Sequence, residues 1–175
     1  SVSPQDPWIN AGATGQVEAS SEVGWIFSYW SGDVPSAKTN DNPVSLAMDS
    51  TRSITANFDP STNELVVLST FDGGMGSPPI PSTNEYGTGA SVSCEVTNSP
   101  VEIVADMSRR YCTGWTNGTG NVDPMGAAMD FSFTITEDSS VTWTWGWEYH
   151  VSADADGWGS VDVTDAWYTE DTEVT

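Results

Sequence analysis

Asp154, Asp156, Asp162 and Asp165 come nearest, among the residues of this 175-residue chain, to a chemically useful spacing. In the segment from Asp154 to Asp165 they fall at the first, third, ninth and twelfth positions, with Gly159 at the sixth. A calcium loop presents carboxylates in this way, because a hard cation takes oxygen ligands from alternate residues around a sharp turn. Calcium is therefore an expected optional ligand, and no cofactor is required. Trp158 stands at the fifth position, where an oxygen is wanted, so the same stretch also reads as a turn between strands with solvated carboxylates. Asn40-Asp41-Asn42 is a weaker version of the same signal and is more often just a turn.

Cys94 and Cys112 are the only cysteines, each inside a strand-like run, Val92 to Val96 and Tyr111 to Trp115. Two strands joined by a loop of this length can be neighbours, so the spacing predicts a cross-strand disulfide worth roughly 3 kcal/mol. The alternative is a pair of buried free thiols. His150 is the only histidine, and one imidazole cannot build a His-rich zinc site. There is no Gly-x-Ser-x-Gly elbow, P-loop or dinucleotide fingerprint. Carboxylate pairs carry no information among 25 Asp and Glu. These residues predict no catalytic site, and the chain is not expected to be an enzyme.

Tryptophan is the other notable inventory. Trp143, Trp145 and Trp147 alternate with Thr144 and Gly146, so they share one face of a strand, about 7 Å apart. Such a row suits sugar stacking, and it equally suits the core of a sandwich. Trp143 and Trp145 read as core. Trp147 and Trp158 lie near the edges of structural units and are the candidates for an interface or glycan contact.

Around these residues the chain is acidic, with 25 Asp and Glu against Lys38, Arg52, Arg109 and Arg110, a formal net charge of −21. Phosphate binding needs clustered cations, so a nucleic-acid partner is excluded as an expectation, as is an anionic membrane surface. No run of 18 apolar residues occurs, so no membrane insertion is expected. The acids are scattered among Ser, Thr and Gly, as on solvated strand faces.

Strand signals dominate. Phe131 to Ile135 alternates apolar and polar, and so does Val141 to Trp147. The turn Glu137-Asp138-Ser139-Ser140 between them predicts a hairpin. Val44 to Met48 and Ile54 to Phe58, around the turn Asp49 to Arg52, predict the same hairpin earlier in the chain. Leu65 to Leu68 is short and apolar throughout, as in a strand buried on both faces.

The echo extends further. Trp30-Ser31-Gly32-Asp33 returns as Trp115-Thr116-Asn117-Gly118 after 85 positions, and Ile54 to Phe58 returns as Val141 to Trp145 after 87. Ser1-Val2 with Trp8 is echoed by Ser160-Val161 with Trp167, 159 positions on. The pieces are residues 1–63, a repeat unit lacking its opening strand; 64–148, a complete unit; and 149–175, the opening of another. The expected fold is all-β, two tandem small antiparallel sandwiches or rolled sheets. The last piece is expected to pair with residues 1–63 of the same chain or of a neighbour, head to tail.

Gly24-Trp25-Ile26-Phe27-Ser28-Tyr29-Trp30-Ser31-Gly32-Asp33, Asn42-Pro43-Val44, Met48-Asp49 and Ile54-Thr55-Ala56-Asn57-Phe58 resemble the bacterial β-repeat family related to internalin B-repeats. The second unit, with Cys112-Thr113-Gly114-Trp115 and Val141-Thr142-Trp143-Thr144-Trp145, resembles a divergent type of the same repeat. The resemblance implies a compact β module, found as tandem arrays in large secreted and surface proteins and used as a spacer, stalk or adhesive segment. It implies an extracellular location, neighbouring repeats or identical subunits as partners, and no catalytic residues. The competing expectation is a carbohydrate-binding module that stacks surface glycans on Trp147 and Trp158.

Overall fold

The structure, a computed structural model, describes residues 2–3, 8–162 and 165–174. The fold is all-β. Its one helical piece among the described residues is a 3-10 turn at Ser36–Lys38, and no helix is long and apolar enough to cross a membrane. The chain divides into two compact units, Ser1–Thr62 with Gly87–Gly89, and Asn63–Tyr86 with Ala90–Thr175.

The first unit holds β1 (Val2–Ser3), β2 (Thr14–Ala19), β3 (Trp25–Gly32), β4 (Val44–Ala47) and β5 (Ile54–Pro60). β1, β2 and β4 form one antiparallel sheet, and β3 and β5 form another. Both turn apolar residues onto one core of Ala19, Trp30, Val44 and Leu46, flanked by Val17, Phe27, Ile54, Ala56 and Phe58.

β4 and β5 are therefore not a hairpin. They are consecutive, but each pairs in a different sheet, and the turn between them is an arch over the core. Strand alternation is the same in either arrangement, because a strand with one buried face has period two whichever neighbour it bonds. Arg52 holds the arch. Its guanidinium donates to the carbonyl oxygens of Ala47 at 2.9 Å and Asp33 at 3.2 Å and to Asp49 Oδ1 at 2.8 Å.

The second unit is built from β6 (Thr62–Ser69), β7 (Gly76–Ser77), β8 (Ser82–Gly87), β9 (Ala90–Val96), β10 (Val101–Val104), β11 (Ser108–Thr119), β12 (Met125–Gly126), β13 (Asp130–Ile135), β14 (Ser139–Val151) and β15 (Ala166–Thr169). One sheet runs β10-β11-β14-β6-β8, with β12 on β11 and β15 on β14. The other runs β13-β9-β7. Leu65, Val67, Val92, Cys94, Ile135, Val141 and Trp143 are the most deeply buried residues between them. Here too the expected hairpin is an arch, since β13 pairs with β9 while β14 pairs with β11 and β6. Asn121 Oδ1 accepts the backbone N–H groups of Thr136 at 2.6 Å and Glu137 at 3.2 Å and fixes the turn.

The same register recurs in each unit. Trp30 lies opposite Ala56, and Trp115 opposite Trp143; Phe27 lies opposite Phe58, and Cys112 opposite Trp145. A β-bulge follows Phe27 in one and Cys112 in the other. In the companion sheets Val17 faces Val44 as Cys94 faces Phe131, and Gly15 faces Leu46 as Val92 faces Phe133. The sequence echo at 85 and 87 positions is thus a structural equivalence.

Further expectations differ from the structure. β6 pairs parallel to β14, so the fold is not wholly antiparallel. β6 is also buried on one face only, since Leu65 and Val67 are inaccessible while Leu68 is 46% exposed. Residues 149–175 do not stand as a separate opening piece. β14 runs unbroken through Val151, and Glu148 to Val151 pair with Thr169 to Ala166 of β15 inside the second unit. The 159-position echo has no structural counterpart, because Trp8 lies fully exposed outside any strand and Trp167 lies within β15. Ser1 of that echo is outside the described residues.

Candidate functional site

Two ladders of side chains cover the end of β14, one on each face. On one, Arg110 lies over Trp147, its guanidinium carbon 3.9 Å from the ring centroid and 5.7 Å from that of Phe71. Trp147 in turn stacks on Tyr149 at 6.0 Å. On the other, Arg109 Nε donates to Glu148 Oε2 at 2.6 Å, and its guanidinium carbon lies 4.3 Å from the Trp167 centroid. His150 sits 4.9 Å from the same ring, and its Nε2 is 3.0 Å from Asp165 Oδ1. Consecutive strand residues point to opposite faces, which is why adjacent arginines serve separate ladders. A cation over an aromatic face is held by the ring quadrupole, so these contacts order both the arginines and the rings.

Trp147 therefore offers a ring with one face taken by Arg110. Trp143 and Trp145 are buried in the core at 1% and 7% exposure. Trp158 is 95% exposed in the loop after β14. Trp147 stacks on Tyr149, and among the described residues no ring contact joins it to Trp158 to make a paired platform.

The four candidate calcium ligands are not brought together. Asp154 Oδ1 accepts the N–H of Ala155 at 2.8 Å, Asp156 Oδ1 accepts that of Trp158 at 3.2 Å, and Asp165 faces His150. Among the described residues no group of three or more His, Cys, Asp or Glu side chains converges as a metal site. Val163 and Thr164, within the same loop, are outside the described residues.

Cys94 and Cys112 are free thiols, so the expected disulfide is corrected. They do not lie on neighbouring strands, since Cys94 is on β9 of the three-stranded sheet and Cys112 on β11 of the larger one. Both point into the core, at positions that Val17 and Phe27 hold in the first unit, and act as small apolar fillers. Burial pushes the Cys94 thiol up to about 11 and raises that of Cys112.

In the first unit a groove of about 640 Å³ opens between the sheets, lined by Ile9, Gly15, Val17, Leu46, Met48 and Ile54. Trp8 stands exposed at its rim. A second hollow of about 420 Å³ adjoins Ala56, Asn57 and Phe58.

Sequence reasoning missed the arginine ladders, although Arg109-Arg110 holds half of the cations of the chain and adjoins the Cys112 strand. It also did not place the groove of the first unit.

Residues 1–62 match the family described as the divergent InlB B-repeat domain, and that stretch coincides with the first unit up to Thr62. Comparison with curated proteins and with solved structures finds no match. The second unit lies outside that match and shares with the first the strand register described above. The family match supports a bacterial InlB-related repeat family, of the kind that forms segments of surface proteins, and it is the first unit of this chain that carries it.

Proposed function

We propose that the chain is a structural segment of an extracellular bacterial surface protein, serving as a spacer or adhesive stalk, and not as an enzyme. The observation that carries this reading is the repeated register. Two units of one chain place a buried tryptophan, a β-bulge and an arch at equivalent positions, as a modular array does. An acidic, Thr- and Ser-rich surface suits a module that stays soluble while presented to the medium. Its partners on this reading are neighbouring repeats.

A spacer must resist extension. Single-molecule stretching of the whole chain between its termini is expected to show two cooperative unfolding steps, with contour gains of about 20 nm and about 40 nm. Smooth extension without steps would count against a structural role. Saturable, selective binding on a glycan array, lost on Trp158→Ala, would favour the carbohydrate-binding alternative instead.

A further inference from the structure

Alternate residues of β14 trace the point at which its core face comes out into solvent. Trp143 is 1% exposed and Trp145 7%, Trp147 is half-buried, and Tyr149 is 44% exposed. All four share one face, because side chains alternate along a strand. Up to Trp145 that face belongs to the core of the second unit. Beyond it β11, β14 and β15 run on together, with Arg110 opposite Trp147, and Ser108 and Tyr168 on either side of Tyr149.

The first unit has no such extension. Its counterpart of the Arg110–Trp147 pair is Trp25 opposite Pro60, where β5 ends. The shared register therefore does not need the longer strand, and the core does not account for the residues on it. Trp147 and Tyr149 are nearly parallel, at 15°, with ring centroids 6.0 Å apart. Parallel rings at that separation are displaced sideways, so much of each face lies clear of the other ring. Polar groups flank the pair. Arg110 lies against Trp147, commits one donor to the Trp145 carbonyl at 3.3 Å and forms no ion pair among the described residues. Further guanidinium N–H groups are thus left for a ligand. On the other edge of the strand the N–H of Glu170 donates to the Trp147 carbonyl at 3.0 Å, which sets this exposed acid beside Trp147.

We propose that this face of β14 binds a neutral, extended polysaccharide, with successive sugar rings stacked on Trp147 and Tyr149 and with Arg110 donating to, and Glu170 accepting from, the sugar hydroxyls. The C–H face of a sugar ring is apolar and its rim carries hydroxyls. A stacking surface edged by a donor on one side and an acceptor on the other matches both features. An acidic polysaccharide is disfavoured, because the chain carries a formal net charge of −21 and a carboxylate stands at the edge of the surface itself. The guanidinium is already held 3.9 Å from the Trp147 centroid, so cation and ring are ordered before a ligand arrives and little freedom is lost on binding. This inference rests on the reading of the chain as an adhesive stalk and names the class of ligand that it holds.

The test is titration calorimetry of the full chain, with cellohexaose and chitohexaose as neutral probes and a hexamer of galacturonic acid as the acidic one. Saturable binding of a neutral probe is expected at or below millimolar concentration, with the acidic hexamer about tenfold weaker or more. Tyr149→Ala, at an exposed position outside the core, should weaken binding about tenfold through loss of one stacked ring. Tyr149→Phe, which keeps the ring, should retain it, and Trp158→Ala should leave it unchanged. No binding of either neutral probe at millimolar concentration, preference for the acidic hexamer, full affinity in Tyr149→Ala, or loss of binding in Trp158→Ala would each overturn the proposal. Those outcomes leave the two-step stretching pattern standing, whereas loss of that pattern would undo the structural reading whatever the sugars do.

Discussion

Trp30 and Trp115 occupy the same place in two units and make the same bond. Each donates its indole N–H to a carbonyl of the loop that follows its strand, Asp41 at 2.8 Å and Asp123 at 3.1 Å. Trp30 is 1% exposed and Trp115 8%. The side chain thus fills the core and ties down the loop at once, satisfying a carbonyl that the fold removes from a sheet ladder.

Replacing either ring should be costly. Trp30→Ala and Trp115→Ala are each expected to lose about 3–5 kcal/mol. Trp30→Phe keeps most of the volume but leaves the Asp41 carbonyl unpaired, at about 1–3 kcal/mol. Trp145 offers the contrast, because its buried indole N–H has no hydrogen-bond partner among the described residues. Trp145→Phe removes an unsatisfied donor and should cost less than Trp30→Phe. Chemical denaturation of the four variants checks this ranking, and a Trp145→Phe more destabilising than Trp30→Phe would refute it.

Gly114 closes the bulge of β11 with φ +114°, and an added Cβ would run into the carbonyl oxygen of Gly126 across the β11–β12 pair. Backbone cannot give way as a flexible side chain can. Gly114→Ala is expected to cost about 2–4 kcal/mol. Gly87→Ala, where a Cβ meets nothing within 4 Å, should fall within about 0.5 kcal/mol of the parent. Thermal unfolding of the pair distinguishes them.

Both thiols should resist alkylation in the folded chain and react fully once it is unfolded, with no mass change on reduction. Burial raises the folded Cys94 value from 9.0 to about 11, so the unfolded chain loses that proton first as pH rises. The contribution is whole below about pH 9 and is lost between there and about pH 11, at up to about 1.4 kcal/mol per pH unit for the thiol. Cys94→Val, which copies the Val17 position of the first unit, should flatten this part of the alkaline profile. An unchanged profile in that variant would show that another group sets it.

Arg110→Ala should bare the Trp147 ring. The expected stability loss is about 0.5–2 kcal/mol, the range for a cation over an aromatic face. Acrylamide should quench tryptophan fluorescence more strongly in this variant than in the parent. Equal quenching would mean that the ring is covered by something other than the guanidinium.

Much of this protein was legible before any fold was known. Alternating apolar residues marked Phe131 to Ile135 and Val141 to Trp147 as strands, because a half-buried strand has a side-chain period of two. The spacing of Trp30 and Trp115 marked the repeat, because equivalent core positions ask for similar residues. Which strands would pair was not legible. β13 followed by β14 reads the same as a hairpin or as an arch, since both place Ile135 and Val141 in the core. The choice was made by β9 and β11, distant in sequence, which took the edges that a hairpin would have joined. The same long-range choice separated Cys94 from Cys112, set β6 parallel to β14, and drew residues after Glu148 back onto the second unit. Local pattern decides which face of a strand is buried. Its neighbour is decided by the whole set of faces competing for one core, and that competition is settled only in three dimensions.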